Sequence, residues 1–192
     1  MGLSLVTAPT AEPVSLAEAK AHLRVSNSTE DALIATYLMA ARAAAENYTR
    51  RALALQTFDQ TFDYGYPCTH DARQRLVLLR SPLVSVTSVS YVDTAGVAQT
   101  LDPSQYQVDA TGIEGRIEPA YGITWPAVRD QMAAITVRYV AGYAQIPEPV
   151  RAAILLTLGH LYEHREDVVI GPSANEMPRG AEALLFPYRV FY

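Results

Sequence analysis

Positive clusters, cysteine pairs, nucleotide-binding glycine motifs and long apolar runs are all missing from this 192-residue chain. Lys and Arg number 15 against 20 Asp and Glu, a formal net charge of −5, and no basic stretch exceeds Arg50-Arg51. A protein that grips nucleic acid through its phosphates needs a positive face. Reading of DNA is therefore excluded as the main task, although an acidic wall suits DNA that passes by without sticking. The single cysteine, Cys68, excludes an intrachain disulfide and fits a reducing cytoplasm. The longest apolar run, residues 152–158, is far short of a membrane span. The opening stretch, residues 1–13, has no basic region followed by an apolar core and is not read as a secretory signal. No G-x-G-x-x-G or G-x-x-x-x-G-K sequence occurs, and no cofactor is expected.

What the chain does have is a greasy terminal strip: Leu184, Leu185, Phe186, Pro187, Tyr188, Arg189, Val190, Phe191 and Tyr192. Chain ends are normally polar and frayed unless something ties them down. Each aromatic left in water forfeits roughly 2 kcal/mol of burial free energy. The strip must fold back on its own domain or fill a groove elsewhere. Pro187 has no N–H and disfavours helix at Phe186, so residues 187–192 are expected to run extended, as a docking peg would.

Periodicity gives the order of elements. Residues 1–14 read as irregular. Ser15 and Glu18 form a capping box, and a short helix runs to about Arg24 with Leu16, Ala19 and Leu23 on one face. Ser28 or Thr29 caps a second helix of about 22 residues carrying Leu33, Ile34, Tyr37, Leu38, Ala41, Ala44, Ala45 and Tyr48 at three- and four-residue spacing. Its alanines let a neighbouring helix come close, or a second copy of the same helix. Residues 53–64, 76–79, 84–92, 106–108, 115–117 and 134–139 read as strands, punctuated by Gly, Pro and Asp as in an antiparallel meander. Helix returns after Pro147 and Pro149, with Val150, Ile154, Leu155, Leu158, Leu161 and Tyr162 in one stripe to about Arg165. A short helix is expected over residues 180–185. The fold class is α+β: a helical bundle interrupted by an antiparallel β insertion. Its expected parts are residues 1–51, 52–146, 147–183 and the tail 184–192.

Several constellations could carry chemistry. His160-Leu161-Tyr162-Glu163-His164 matches the inverted zinc-protease pattern. On a helix the two histidines would share a face, with Glu163 as base. A third ligand would have to come from Glu166, Asp167, Glu176 or Glu182. The plainer reading is a helix end, where histidine suits the negative dipole. Cys68 and His70 sit close together, yet nothing supplies an oxyanion site. Asp93, Asp102 and Asp109 fall where turns want aspartate. Gly112 and Gly115 suit a hairpin, and Trp125-Pro126 an aromatic anchor.

Three stretches resemble one family. The first is Pro13-Val14-Ser15-Leu16-Ala17-Glu18-Ala19-Lys20-Ala21-His22-Leu23-Arg24-Val25, followed by Glu30-Asp31-Ala32-Leu33-Ile34 and the Ala-rich helix to Tyr48. The second is Pro147-Glu148-Pro149-Val150-Arg151-Ala152-Ala153-Ile154 through Leu161-Tyr162-Glu163-His164-Arg165-Glu166. The third is Ala183-Leu184-Leu185-Phe186-Pro187-Tyr188-Arg189. In order and spacing they resemble the head-to-tail connector, or adaptor, proteins of long-tailed bacteriophages and phage-derived gene transfer agents. They cover about half the chain. The β block is a departure that fits larger relatives with an insertion. The resemblance implies a non-enzymatic virion protein of the neck, made in the bacterial host cytoplasm. It implies a homo-oligomeric ring, usually dodecameric, beneath the portal protein, with the next neck protein (stopper or tail completion) on its other side. DNA would pass through without specific binding, and no membrane is involved. Leu184 to Tyr192 would carry the portal contact, and no metal would be held. The alternatives are a small zinc hydrolase using His160, Glu163 and His164, or a later neck component.

Overall fold

A computed structural model of the chain describes residues 1–65, 75–165 and 178–191. These fall into two compact units, one of Met1–Pro9 with Leu55–Tyr143, the other of Thr10–Ala54 with Ala144–Tyr192. The first is built of strands and the second of helices, so the architecture is α+β, with one strand ahead of the first helix and the others between the helical segments in sequence.

In the strand unit, β1 (Gly2–Thr7), β2 (Gln56–Phe62), β4 (Leu83–Val92), β5 (Ala98–Thr100) and β8 (Ile135–Ala141) form one antiparallel sheet. Its order is β1-β2-β8-β4-β5. A second sheet holds β3 (Leu76–Leu78), β6 (Tyr106–Asp109) and β7 (Gly115–Pro119) in the order β3-β7-β6. The expected meander is corrected here. Pairing is antiparallel, but β8 slots between β2 and β4, so the largest sheet is closed by partners far apart in sequence. Alternation is clean in β2 and β8, where Phe58, Phe62, Val137 and Tyr139 point inward. It is lost in β4, whose register shifts twice against β8, because each bulge turns the following side chains to the other face.

The opening residues are also corrected, from irregular to the edge strand β1. Only Leu3 in it is even half-buried, so it shows no apolar face to read. It is held through backbone pairing with β2, from Gly2 opposite Thr61 to Thr7 opposite Thr57.

The buried polar centre of this unit is Gln60. Its Nε2 donates to the Val77 carbonyl at 2.9 Å, and its Oε1 accepts from Leu79 N–H at 2.8 Å. Tyr139 Oη donates to the Leu79 carbonyl at 2.6 Å. One carboxamide thereby stitches β2 of the large sheet to β3 of the small one. Gly115 allows a second close approach: a Cβ there would meet Leu83 Cβ at 2.7 Å.

The helical unit comprises α1 (Leu16–Leu23), α2 (Asp31–Thr49), α3 (Glu148–Glu163) and α4 (Arg179–Leu185). The Ser15–Glu18 box caps α1 as the sequence suggests. Helix α2 is shorter than expected, with 19 residues, and Glu30 rather than Ser28 or Thr29 stands at its cap. The reason is local: Asn27 Oδ1 takes the Thr29 N–H at 3.0 Å and holds a turn where the helix would otherwise begin. Ile34, Leu38, Ala41 and Ala45 of α2 pack with Val150, Ala153, Ile154 and Leu158 of α3 in the core. Small alanine side chains let these two backbones approach. Arg42, in the middle of the alanine run, pairs with Glu12 at 2.8 Å and Glu46 at 2.6 Å. Glu46 in turn accepts the Leu53 N–H at 2.8 Å, fixing the chain as it leaves α2.

Candidate docking site at the carboxyl-terminal segment

The terminal strip is half anchored and half free. Leu185 ends α4 and is fully buried, and Val190 is buried too. The expectation of one uncovered, extended strip is corrected accordingly. Phe186–Tyr188 forms a 3-10 turn, and Phe186 takes helical angles because its N–H still reaches the Glu182 carbonyl. Pro187 sits in the first turn, where a missing N–H costs nothing. The chain becomes extended only at Arg189.

Two hydrogen bonds clip this segment to the end of α2. Val190 N–H donates to the Thr49 carbonyl at 2.9 Å, and Arg51 Nε donates to the Tyr188 carbonyl at 2.6 Å. The Thr49 carbonyl is one of the last in its helix, which have no partner within it. The tail supplies that partner. Thr49 and Arg51 carry no sequence signal for such a role, since they meet the tail only in the fold.

The free half is aromatic. Phe186 is 57% exposed and Phe191 67% exposed, and their rings meet edge-on with centroids 6.3 Å apart. Pro187 is exposed beside them, while Leu184 and Tyr188 are half-buried. The Arg189 guanidinium lies over the Tyr48 ring at 5.1 Å and the Phe191 ring at 5.2 Å. Tyr192 lies outside the described residues. An anchored base that holds exposed rings is what a docking knob needs, because less ordering entropy remains to be lost on contact.

The histidine pattern does not assemble a catalytic centre. The His160 and His164 rings stack on each other with centroids 4.6 Å apart, both exposed at the end of α3. Among the described residues no three His, Cys, Asp or Glu side chains are grouped so as to hold a metal. Glu166, Asp167 and Glu176 lie outside the described residues, as do Cys68 and His70. Helix α3 stops at Glu163, two residues before the expected Arg165. Beyond it the functional partner is Glu30. Tyr162 Oη donates to Glu30 Oε2, and the Arg165 guanidinium pairs with Glu30 Oε1 at 2.8 Å while lying over the Tyr162 ring. The Tyr162 hydroxyl and then Arg165 hold the Glu30 carboxyl below its ordinary value, and Glu30 raises the Tyr162 hydroxyl. This is a clamp between α2 and α3, missed by sequence reasoning because its members are 132 residues apart.

Other charged groups are spent on structure. Asp93 accepts from Ala95 and Val97 N–H, Asp102 from Ser104 and Asp109 from Thr111, each closing a turn. A cleft of about 150 Å³ on the small sheet is lined by Arg75, Gln107, Asp109, Arg116 and Glu118, with Gln107 donating to Glu118 at 2.9 Å. No helix among the described residues is long and apolar enough to cross a membrane.

Fold and site together define a two-unit α+β protein with a half-anchored aromatic segment. Residues 13–77 match the family model of phage gp6-like head-tail connector proteins. The chain also superposes along its whole length on chains from solved gene transfer agent particles. Against one from the neck of an empty particle, computed with C6 symmetry, the TM-score is 0.78 with 26% identity, covering 100% of this chain and 97% of that one. Against one from the virion of a native particle the TM-score is 0.76, again with 26% identity and the same coverage of 100% and 97%. Against one from the neck of a native particle, computed with C12 symmetry, the values are 0.75 and 25%, over 100% and 97%. A comparison with curated protein sequences finds no match. The expected likeness to the head-to-tail connector proteins is thus shown twice, by part of the sequence and by the whole fold. The proteins it is similar to are structural proteins of connector and neck type, not enzymes.

Proposed function

We propose that this chain is a ring subunit in the neck of a phage-like particle, joining the DNA-filled head to the tail, and that its carboxyl-terminal segment docks on the portal. The observation that carries the reading is the full-length match to neck chains, whose particles were computed with C6 and C12 symmetry. A twelve-membered ring suits those symmetries. Such a ring closes through one interface repeated head to tail. A formal charge of −5 suits a conduit that lets DNA slide rather than one that grips it.

Within the docking segment, Phe186, Pro187 and Phe191 are the contacts, and Leu185 and Val190 are the roots that hold them out. The next neck protein meets the opposite side of the ring. The test is a full-length variant, Phe186→Ala with Phe191→Ala, mixed with portal-bearing heads purified without the neck protein. Both rings are exposed, so the variant should keep the helical content and melting temperature of the unaltered chain. It should fail to sediment with the heads. Binding equal to that of the unaltered chain would overturn the docking assignment.

A further inference from the structure

Arg189 is the member of the docking segment whose needs the free chain leaves unmet. Its Nε is buried without a hydrogen-bond acceptor. Among the described residues no carboxylate pairs with it, whereas Arg42, Arg138, Arg151 and Arg165 each hold one at 2.7–2.8 Å. Its position is nonetheless fixed, between the Tyr48 and Phe191 rings. Stacking on rings occupies the faces of a guanidinium and leaves its terminal N–H groups, in the plane, to meet a planar acceptor. A fork held this way has already lost much of its rotamer freedom, so a carboxylate that meets it gains more of the pairing energy.

We propose that Arg189 is a specificity-determining residue of the docking segment. It pairs with a carboxylate at the rim of the portal pocket that takes Phe186 and Phe191. This inference rests on the docking reading above. A protein carboxylate is favoured over a nucleic-acid phosphate for two reasons. The Arg189 guanidinium lies over aromatic rings, and the chain as a whole is acidic. Aromatic residues and arginine are also enriched at protein interfaces.

The experiment uses the full chain and portal-bearing heads purified without the neck protein. Binding is measured at low and high salt for Arg189→Met, Arg189→Gln, Arg189→Lys and the Phe186→Ala, Phe191→Ala pair. Each neutral variant should bind about tenfold more weakly or worse, with a shallower dependence on salt. The lysine variant should recover part of the loss at low salt, where its charge counts most. Two neutral variants are used so that a folding defect in one leaves the other to decide. Added duplex DNA should not compete. Suppose the phenylalanine pair abolishes binding while both neutral variants bind as tightly as the unaltered chain at either salt. The carboxylate pairing is then wrong and the docking reading stands. Equal weakness of the lysine and neutral variants at low salt, or displacement by DNA, also overturns the pairing. Full binding by the phenylalanine pair overturns the docking reading itself.

Discussion

Gln60 behaves as a piece of backbone. By donating to Val77 and accepting from Leu79 it makes the two bonds that a parallel strand residue would make around Leu78. It lies on the same face of β2 as Phe58 and Phe62, so the alternation turns this polar side chain inward, and the fold buries it completely. Gln60→Leu should leave the Leu79 N–H and the Val77 carbonyl without partners, at roughly 1–3 kcal/mol for each group. Denaturant melting of the full chain checks this, and a midpoint equal to that of the unaltered protein would sink the account. A contrasting polar pair is Asp59 with Arg138, directly opposite on β2 and β8 and joined by two bonds of 2.8 and 2.7 Å. There the fork geometry, not burial, sets the carboxyl low, since the Arg138 hydrogen bond leads the effect. Such a cross-strand pair fixes register more than it adds stability.

Helices were the most legible elements. The stripes of α2 and α3 follow from spacing alone, because apolar side chains three and four apart can share only one face of a helix. Strands were less legible. Edge strand β1 has no buried face, and the bulges of β4 erase its alternation. The terminal segment was misread in conformation because the bias against helix before proline is a preference, and the bond from Phe186 N–H to Glu182 outweighs it. At this scale the Glu30 clamp makes a pH prediction. The folded protein holds the Glu30 carboxyl below its ordinary value of 4.5, through Tyr162 first and Arg165 second. A carboxyl lowered on folding contributes stability that is present above its unfolded value and is lost as pH falls through the folded one. The melting temperature should therefore fall below about pH 4.5. In Glu30→Gln that fall should be smaller. Identical acid profiles would mean that the clamp does not hold α2 to α3.

Across the whole molecule the chain passes from the strand unit to the helical one near Pro9, back near Ala54, and returns near Tyr143. Each unit is thus assembled from separated segments, and the terminal residues are clipped to Thr49 and Arg51 of the other segment of their own unit. On the proposed reading, the consequence lies in the particle. Phe186→Ala with Phe191→Ala should yield filled heads and finished tails that stay unjoined, as counted by electron microscopy. Joined particles at the normal frequency would count against a neck role for the segment. Arg189→Met should show the same defect in milder form.

By itself the sequence determined the α+β class, the helix stripes, the capping box and the excess of large apolar residues at the end. These depend on neighbours within one turn or one strand, and local spacing records them. Tertiary structure alone decided that β8 lies between β2 and β4 and that Gln60 joins two sheets. It also decided which apolar residues of the terminal segment are buried and which are exposed. Those outcomes depend on which distant backbone arrives to bury a side chain, and a linear pattern carries no coordinate for that.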